Sequence, residues 1–332
     1  MMLRPPLRIA VTRGGHVESH HAVSAAIVRG DAILAGWGDI DGNVFARSSL
    51  KPLQALAVLG HSPKLDAERL ALACASHNGE AVHVEGVTRW LADLGLGPDA
   101  LECGAHPPID PPSARTMIEA RDTPGRQHNN CSGKHCGFLQ LSQQLGVDPH
   151  GYTDRNHPAQ AEVRRQIGRL LGLNMTMLPW GVDGCGAPIY AFPVTALARG
   201  FARLAAPESL PRDLEASAAR IFAAMAGAPY LVAGRDRFDT AVMQALPGRI
   251  IVKGGAEGVL AAAHADSGLG IALKVHDGAK RAAEVAMAAL LGTALGADGS
   301  AIAAMATVPV LNAEGRAVGD IHLEQEGSLS WT

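Results

Sequence analysis

Residues 249–295, RIIVKGGAEGVLAAAHADSGLGIALKVHDGAKRAAEVAMAALLGTAL, determine the fold class that we predict for this chain. The runs 249–253, 259–264 and 270–275 are apolar, lie between Gly-rich turns and are typical of strands. Residues 279–294 then carry an apolar stripe at helical spacing, which predicts an amphipathic helix. A hairpin sheet has to bury a face, so we predict an antiparallel sheet covered by helices, an α/β fold of the α+β type.

The rest of the chain fits the same plan. Two apolar runs near the start, 24–28 and 32–37, flank Gly30-Asp31 and predict a hairpin. Helical spacing is found in several later segments, and the predicted helices cover 50–59, 80–94, 158–171 and 212–225. No internal repeat or low-complexity linker separates two halves. We therefore predict one domain, 1–332, with a helical middle portion at about 60–230 between N- and C-terminal strands.

Composition excludes several classes of protein. Apolar residues make up 47% of the 332 residues and charged residues 18%, which excludes a disordered chain. The 29 basic against 32 acidic residues argue against a nucleic-acid partner. No apolar run approaches the roughly 20 residues of a membrane span, so we expect no membrane partner. Pro5 and Pro6 interrupt the apolar start that export requires, so we expect a cytoplasmic protein.

The first candidate for chemistry is Ser48-Ser49-Leu50-Lys51, at the start of a predicted helix. Residues three apart on a helix share a face, so the Lys51 amine can reach the Ser48 hydroxyl. A serine needs a base before it becomes a good nucleophile, and a lysine serves when burial or a second cation lowers its pKa. The alternative is a helix cap followed by a solvated lysine.

Two further motifs are weak alone and specific together. Ser76-His77-Asn78 precedes a predicted helix, and its alternative interpretation is an N-cap made by Ser76 or Asn78. Lys253-Gly254-Gly255 ends a predicted strand, and its alternative is a surface lysine before a turn. Ser-x-x-Lys, Ser-x-Asn and Lys-Gly-Gly occur here in the order typical of penicillin-recognising serine enzymes. Gly254 stands where those enzymes usually have Thr or Ser, which argues against a β-lactam substrate.

Two Cys-bearing, Gly-rich segments, 129–137 and 181–188, suggest a metal site in loops. Two separated thiolates with nearby nitrogen donors suit zinc, and Cys131 and Cys185 are the sulfur candidates. The candidate nitrogen ligands are His128, Lys134 and His135. The alternative is a pair of inert core thiols.

These motifs together resemble the asparaginase II family, the Rhizobium-type or class 3 L-asparaginases. The resemblance runs from about residue 8 to about residue 330. It rests on five co-ordered segments: RSSLKPLQ (47–54), ASHNGE (75–80), HNNCSGKHCGF (128–138), GVDGCGAP (181–188) and IVKGGAEG (251–258). The family implies a fold similar to serine β-lactamases and penicillin-binding proteins, a homodimer, and hydrolysis of L-asparagine to L-aspartate and ammonia.

The resemblance also implies roles for individual residues. Ser48 with Lys51 matches one Ser-Lys pair of the family, and Ser76 with Lys253 matches a second. The family's zinc ligands correspond to Cys131, Lys134 and Cys185, with water completing the shell. We hypothesise that Ser48 attacks the side-chain amide while Lys51 accepts its proton, and that Ser76 relays a proton to the ammonia.

The substrate contacts are the last part of the hypothesis. Asp183 suits the α-ammonium of asparagine, and Arg47 or His135 the α-carboxylate. The oxyanion is expected at the backbone N–H groups of Ser48 and Ala256. Two other functions stay open, a penicillin-recognising serine hydrolase and a non-catalytic zinc-dependent binding protein. Glutamine is the closest competing substrate, because one methylene is worth only about 1–3 kcal/mol in a pocket.

Overall fold

The computed structural model describes residues 4–324 and Leu329, which fall into two compact units. The first unit contains the segments Met1–Ser49, Phe192–Ala202 and Val252–Thr332, as far as they are described. The second contains Leu50–Ala191 and Arg203–Ile251. The single domain over 1–332 stays a prediction. The described part leaves out residues 1–3, 325–328 and 330–332. Residues 1–3 belong to the start of the chain on which the export prediction rests.

The strands alternate with helices along the chain. They are β1 (Leu7–Arg13), β2 (His16–Arg29), β3 (Ala32–Trp37), β4 (Asn43–Phe45), β5 (Trp180–Val182), β6 (Pro188–Pro193), β7 (Ile250–Gly255), β8 (Val259–His264), β9 (Leu269–Val275), β10 (Thr307–Leu311) and β11 (Ala317–Leu323). The helices are α1 (Lys51–His61), α2 (Ala67–Cys74), α3 (Ala81–Asp93), α4 (Pro111–Glu119), α5 (Ser132–Gln144), α6 (Pro158–Leu171), α7 (Val194–Ala205), α8 (Arg212–Gly227), α9 (Pro229–Val232), α10 (Phe238–Ala245), α11 (Lys280–Leu295) and α12 (Ser300–Ala303).

The first unit is built on a large sheet with the order β10-β11-β1-β2-β9-β8-β7, and β3 also pairs with β2. Every strand pair of this sheet whose register is described is antiparallel. These pairs are β10 with β11, β11 with β1, β1 with β2, β2 with β3, β2 with β9 and β9 with β8. The predicted hairpin is confirmed, with Gly30 at φ 56° in the turn between β2 and β3. The predicted final meander is confirmed as well. The sequence analysis missed β1, β10 and β11.

Helices cover this sheet, which confirms the predicted fold class. Helix α11 packs against β1, β2, β8, β9 and β11. A Cβ at Gly270 in β9 would overlap the carbonyl oxygen of Ala198 in α7, so a glycine is required where this helix crosses the strand. Nearly every residue of β9 is buried. Both faces of this strand are therefore covered.

One helical stretch, Lys280–Ala306, is long and apolar enough to cross a membrane by length and composition alone. The stretch is interrupted in the structure, because α11 ends at Leu295 and Gly296 adopts φ 56°. Half of the residues of α11 are buried, and the helix packs on the sheet. We therefore interpret α11 as a core helix. The absence of a membrane partner stays a prediction.

The second unit is mostly helical. Helix α1 packs against α5, α6 and α8, and α2 packs against α3, α5 and α8. The predicted helix 158–171 is confirmed as α6, which begins at Pro158 and ends before Gly172 in the left-handed conformation. The helix predicted over 50–59 begins one residue later, at Lys51, and continues through Gly60 to His61.

Gly133→Ala should destabilise the second unit. Alanine in place of glycine normally stabilises a helix by about 0.5–1 kcal/mol. A Cβ at Gly133 in α5 would instead overlap the carbonyl oxygen of Leu72 in α2, so α5 would have to move. We expect a net loss of about 1–3 kcal/mol in the free energy of unfolding. Gly227→Ala, at an exposed helical position with no atom within 4 Å of the new Cβ, is the matched control and should stabilise. Urea unfolding of both variants tests the prediction, which requires effects of opposite sign.

Candidate active site

Ser48 lies in a 3₁₀ turn, Arg47–Leu50, that directly precedes α1. Arg47 has φ 49°, in the left-handed region that favours glycine, so the backbone that presents Ser48 is strained. The Ser49 hydroxyl donates a 2.9 Å hydrogen bond to the carbonyl of Lys253. The serine-bearing turn is thereby attached to β7, the strand that carries the candidate lysine.

The end of β7 approaches the same turn closely. A Cβ at Gly255 would lie 3.1 Å from the carbonyl oxygen of Ala46 and 3.1 Å from Oγ of Ser49. The Lys253 side chain is fully buried, and its Nζ donates to the carbonyl of Gly254 at 2.6 Å. Lys253 is therefore not a surface lysine, and that alternative interpretation is wrong.

Lys51 and Ser76 form a buried pair in the second unit. Nζ of Lys51 is 2.9 Å from Oγ of Ser76, and it also contacts the carbonyl oxygens of Ala75 and, at 3.3 Å, Asn130. Lys51 is 1% exposed, so the solvated lysine of the alternative interpretation is wrong. Nζ of Lys51 donates to both carbonyls and to the hydroxyl oxygen of Ser76, so the amine and the hydroxyl are in direct hydrogen-bond contact. The arrangement therefore suits proton exchange between Lys51 and Ser76.

The segment after α2 is fixed by its backbone and by Asn78. The N–H of Ser76 donates to the carbonyl of Val232 at 2.9 Å. Asn78 accepts from Nη1 of Arg237 at 2.9 Å and donates to the carbonyl of Arg235 at 2.9 Å. Helix α3 begins at Ala81 without a side-chain cap. The alternative interpretation of Ser76 or Asn78 as an N-cap is therefore wrong.

Three of the candidate metal ligands meet in the second unit, and Asp183 joins them. The Sγ atoms of Cys131 and Cys185 and a carboxylate oxygen of Asp183 lie within 4.8 Å of one another. Nζ of Lys134 is 2.9 Å from Sγ of Cys185. Lys134 lies on α5, which begins at Ser132, so the segment predicted as a Gly-rich loop is helical from there on.

The electrostatics of this cluster are those of a thiol, a thiolate and an ammonium. A hydrogen bond from Cys131 lowers the pKa of Cys185 to about 5, although burial acts in the opposite direction. The same hydrogen bond, with burial, raises the pKa of Cys131 to about 12. Burial lowers the pKa of Lys134, but the charge of Cys185 outweighs this effect and raises it. At these distances the two sulfurs and the carboxylate suit zinc. Lys134 can join them only after it loses a proton, because an ammonium has no lone pair for a metal.

His135 offers a buried hydrogen-bond donor. The backbone N–H of Glu102 donates to the Tyr152 hydroxyl at 2.7 Å, and this hydroxyl donates to Nδ1 of His135 at 2.8 Å. The proton of the neutral imidazole is then on Nε2, which has no partner among the described residues. Burial, followed by the charge of Lys134, holds the pKa of His135 well below its usual value. His135 therefore presents a neutral N–H donor.

Sequence reasoning missed His77 and His83 as part of this region. The two imidazole rings stack with centroids 4.9 Å apart, and both residues are fully buried. His77 belongs to the Ser76-His77-Asn78 motif, in which the sequence interpretation assigns a catalytic role to Ser76 alone. The apolar run 70–75, directly before the motif, was the available sequence signal.

Lowering the pH below about 6.5 should destabilise the protein through His77 and His83. Burial is the main cause that lowers both pKa values in the folded state. The unfolded chain titrates near 6.5, so below that pH it binds protons that the folded state does not. The free energy of unfolding then falls by up to about 1.4 kcal/mol per pH unit per histidine, whereas neither histidine contributes a slope at higher pH. Urea unfolding from about pH 5.5 to about pH 8 should give a shallower acid slope for His83→Gln, and equal slopes would contradict the prediction.

Comparisons with known proteins give one family and several distant structures. The family model described as L-asparaginase II matches residues 9–323. No curated protein sequence matches the chain at a significant level. A putative β-lactamase from Bacteroides dorei is 12% identical, with a TM-score of 0.44 over 77% of this chain and 86% of that one. A β-lactamase from Mycobacterium bovis is 14% identical, with a TM-score of 0.38 over 77% and 88%. A mutant simvastatin synthase from Aspergillus terreus is 10% identical, with a TM-score of 0.29 over 76% and 86%.

Proposed function

Because the chain belongs to the L-asparaginase II family, we propose that it hydrolyses the side-chain amide of L-asparagine to L-aspartate and ammonia. We further propose that it is of the Rhizobium-type, class 3 kind, on the five motifs that carry the resemblance. The observation that carries the proposal is the buried contact of 2.9 Å between Nζ of Lys51 and Oγ of Ser76. Lys51 is excluded from water and contacts the hydroxyl that relays its proton in the reaction proposed below, which supports general acid–base catalysis by this pair.

The proposed reaction has two halves. Oγ of Ser48 attacks the amide carbon as Lys51 accepts its proton, and the oxyanion is held by the backbone N–H groups of Ser48 and Ala256. The C–N bond then breaks, and ammonia leaves with a proton that Ser76 relays from Lys51. Water cleaves the resulting ester, which releases L-aspartate and restores the serine. Lys253 is the proposed partner amine of Ser76.

The substrate's charged groups need fixed partners. The neutral Nε2–H of His135 supports a role for this residue on the α-carboxylate, because it is a buried donor without a described partner. Arg47 is the other candidate for the carboxylate. Asp183 was predicted to bind the α-ammonium, but its place beside Cys185, with 3.7 Å between carboxylate oxygen and Sγ, also supports a role as a metal ligand.

We propose that Cys131, Lys134 and Cys185 hold zinc, with the Asp183 carboxylate as a candidate fourth ligand. Bound zinc would act as a Lewis acid that orients or polarises polar groups at the site. A homodimer in the cytoplasm is also proposed, on the family resemblance and on the sequence. Light scattering of the purified protein tests the dimer.

An ammonia-release assay tests the proposed function. The substrates are L-asparagine, L-glutamine and D-asparagine, and zinc content is measured on the same sample. We expect turnover of L-asparagine in excess over the other two. Failure to release ammonia from L-asparagine would contradict the proposal. Labelling by a fluorescent penicillin would favour a penicillin-recognising hydrolase, and metal-dependent binding without turnover would favour a binding protein.

A further inference from the structure

His77 has no role in the chemistry proposed above, yet the donor and the acceptor of each of its side-chain hydrogen bonds can be assigned. The backbone N–H of Gly79 donates to Nδ1 of His77 at 3.1 Å, so the proton of the neutral imidazole is on Nε2. This Nε2 is 2.9 Å from Oγ of Ser132, and Ser132 donates its own proton to the carbonyl of Gln127 at 3.0 Å. His77 is therefore the donor to Ser132, and each bond in this chain has a single direction.

The backbone makes a second connection between the same segments. The N–H of His77 donates to the carbonyl of Asn130 at 3.2 Å, and this carbonyl also contacts Nζ of Lys51 at 3.3 Å. The carbonyl belongs to the peptide bond that links Asn130 to Cys131, whose N–H donates to Oδ1 of Asn129 at 2.8 Å. One peptide unit thus contacts the candidate base and leads directly into a candidate metal ligand.

We propose that His77 is a positioning residue that couples metal binding at Cys131 to the placement of Lys51 beside Ser76. The inference rests on the proposed function and adds to it a connection between the candidate metal site and the pair formed by Lys51 and Ser76. A metal at Cys131 restrains the peptide bond that precedes this residue. His77 restrains the other side of Cys131 through Ser132, so the carbonyl that receives the Lys51 amine keeps its orientation. Such coupling is reciprocal, so loss of the restraint also weakens metal binding.

Variants at both ends of the hydrogen bond test the coupling. His77→Leu and Ser132→Ala should each lower the affinity for zinc and for cobalt(II) about tenfold, and kcat about 10- to 100-fold, with KM nearly unchanged. His77→Gln, whose amide N–H can replace the Nε2–H donor, should restore most of both properties. Ser142→Ala is the matched control, because Ser142 is a buried serine on the same helix whose Oγ donates to the carbonyl of Phe138 at 2.9 Å. Its metal affinity should equal that of the wild type.

Metal affinity, measured by chelator competition, and the cobalt–thiolate absorption band decide the outcome independently of activity. A folded His77→Leu protein with unchanged cobalt affinity and band would overturn the coupling, even if activity were lost. Should His77→Leu fail to fold, Ser132→Ala decides alone, because it removes only one hydroxyl. A wild-type protein that releases no ammonia from L-asparagine would overturn the proposed function, while the metal affinities would still judge the coupling.

Discussion

Ser48→Ala should lower kcat for ammonia release from L-asparagine by at least about 10⁴-fold, with little change in the free energy of unfolding. The substitution removes the proposed nucleophile, so the ester to Ser48 cannot form. Lys51→Met should cost a similar factor, because the serine then keeps its proton. The double variant should be no slower than either single one, since residues that act as a unit are not additive. Steady-state kinetics and urea unfolding on the same preparations give both quantities.

Ser76→Ala distinguishes the role of Ser76 from that of Ser48. In the proposed scheme Ser76 only relays a proton, so its removal should cost about 100-fold. Ser62→Ala is the control, at the end of α1, where a buried hydroxyl has no partner among the described residues. Its kcat should be unchanged. The opposite ranking, with Ser76→Ala near 10⁴-fold and Ser48→Ala within about tenfold of wild type, would assign the nucleophile to Ser76, which the structure places 2.9 Å from Lys51.

Local signals in the sequence predicted the elements that have clear ends. Helix α6 agrees residue for residue with the prediction, because Pro158 fits the first turn and Gly172 adopts φ 70° after the last. Strand β8 agrees as well, since Gly-rich turns bound it on both sides. Strand β10 was missed because its residues are mostly exposed and give no apolar alternation.

Helix α5 shows why the candidate metal site was harder to predict. Every residue from Ser132 to Leu139 is buried, so the start of the helix has no polar face and no periodic pattern. Its glycines suggested a loop, whereas Gly133 is needed for the close approach to Leu72 in α2. The cysteines could be selected from the sequence by their residue type. The Asp183 carboxylate beside them depends on a contact that spacing does not predict.

The convergence of Lys51, Ser76 and Asn130 is likewise a tertiary feature. The three residues are separated by 25 and 54 positions, and the sequence suggested the importance of the first two only through the order of motifs and the family resemblance. Asn130 contributes a backbone carbonyl, which carries no signal in the identity of the residue. Lys51 and Ser76 could therefore be selected from the sequence by their motifs, whereas the Asn130 carbonyl could not.

Cys185→Ala should lower zinc affinity by about 100- to 1,000-fold. Structural zinc sites release roughly 10–16 kcal/mol shared among about four ligands, so one thiolate accounts for about 2.5–4 kcal/mol. The pKa of Cys185 is lowered to about 5, and its Sγ contacts both Lys134 and Asp183. Its loss therefore removes the sulfur ligand that lies next to the other candidate ligands. Chelator competition gives the affinity, and the metal content of the purified protein gives the stoichiometry.

Cys136→Ala is the matched control for this prediction. Cys136 is a fully buried thiol on α5, two residues after Lys134, and its Sγ faces the carbonyl of Val87 at 4.0 Å. Removing it should cost stability through the lost packing but leave zinc affinity unchanged. Addition of zinc should then raise the unfolding temperature of wild type and Cys136→Ala and have little effect on Cys185→Ala, because only a metal that binds the folded state stabilises it. Equal zinc-induced shifts in all three proteins would place the metal elsewhere and remove Cys131, Lys134 and Cys185 as its ligands.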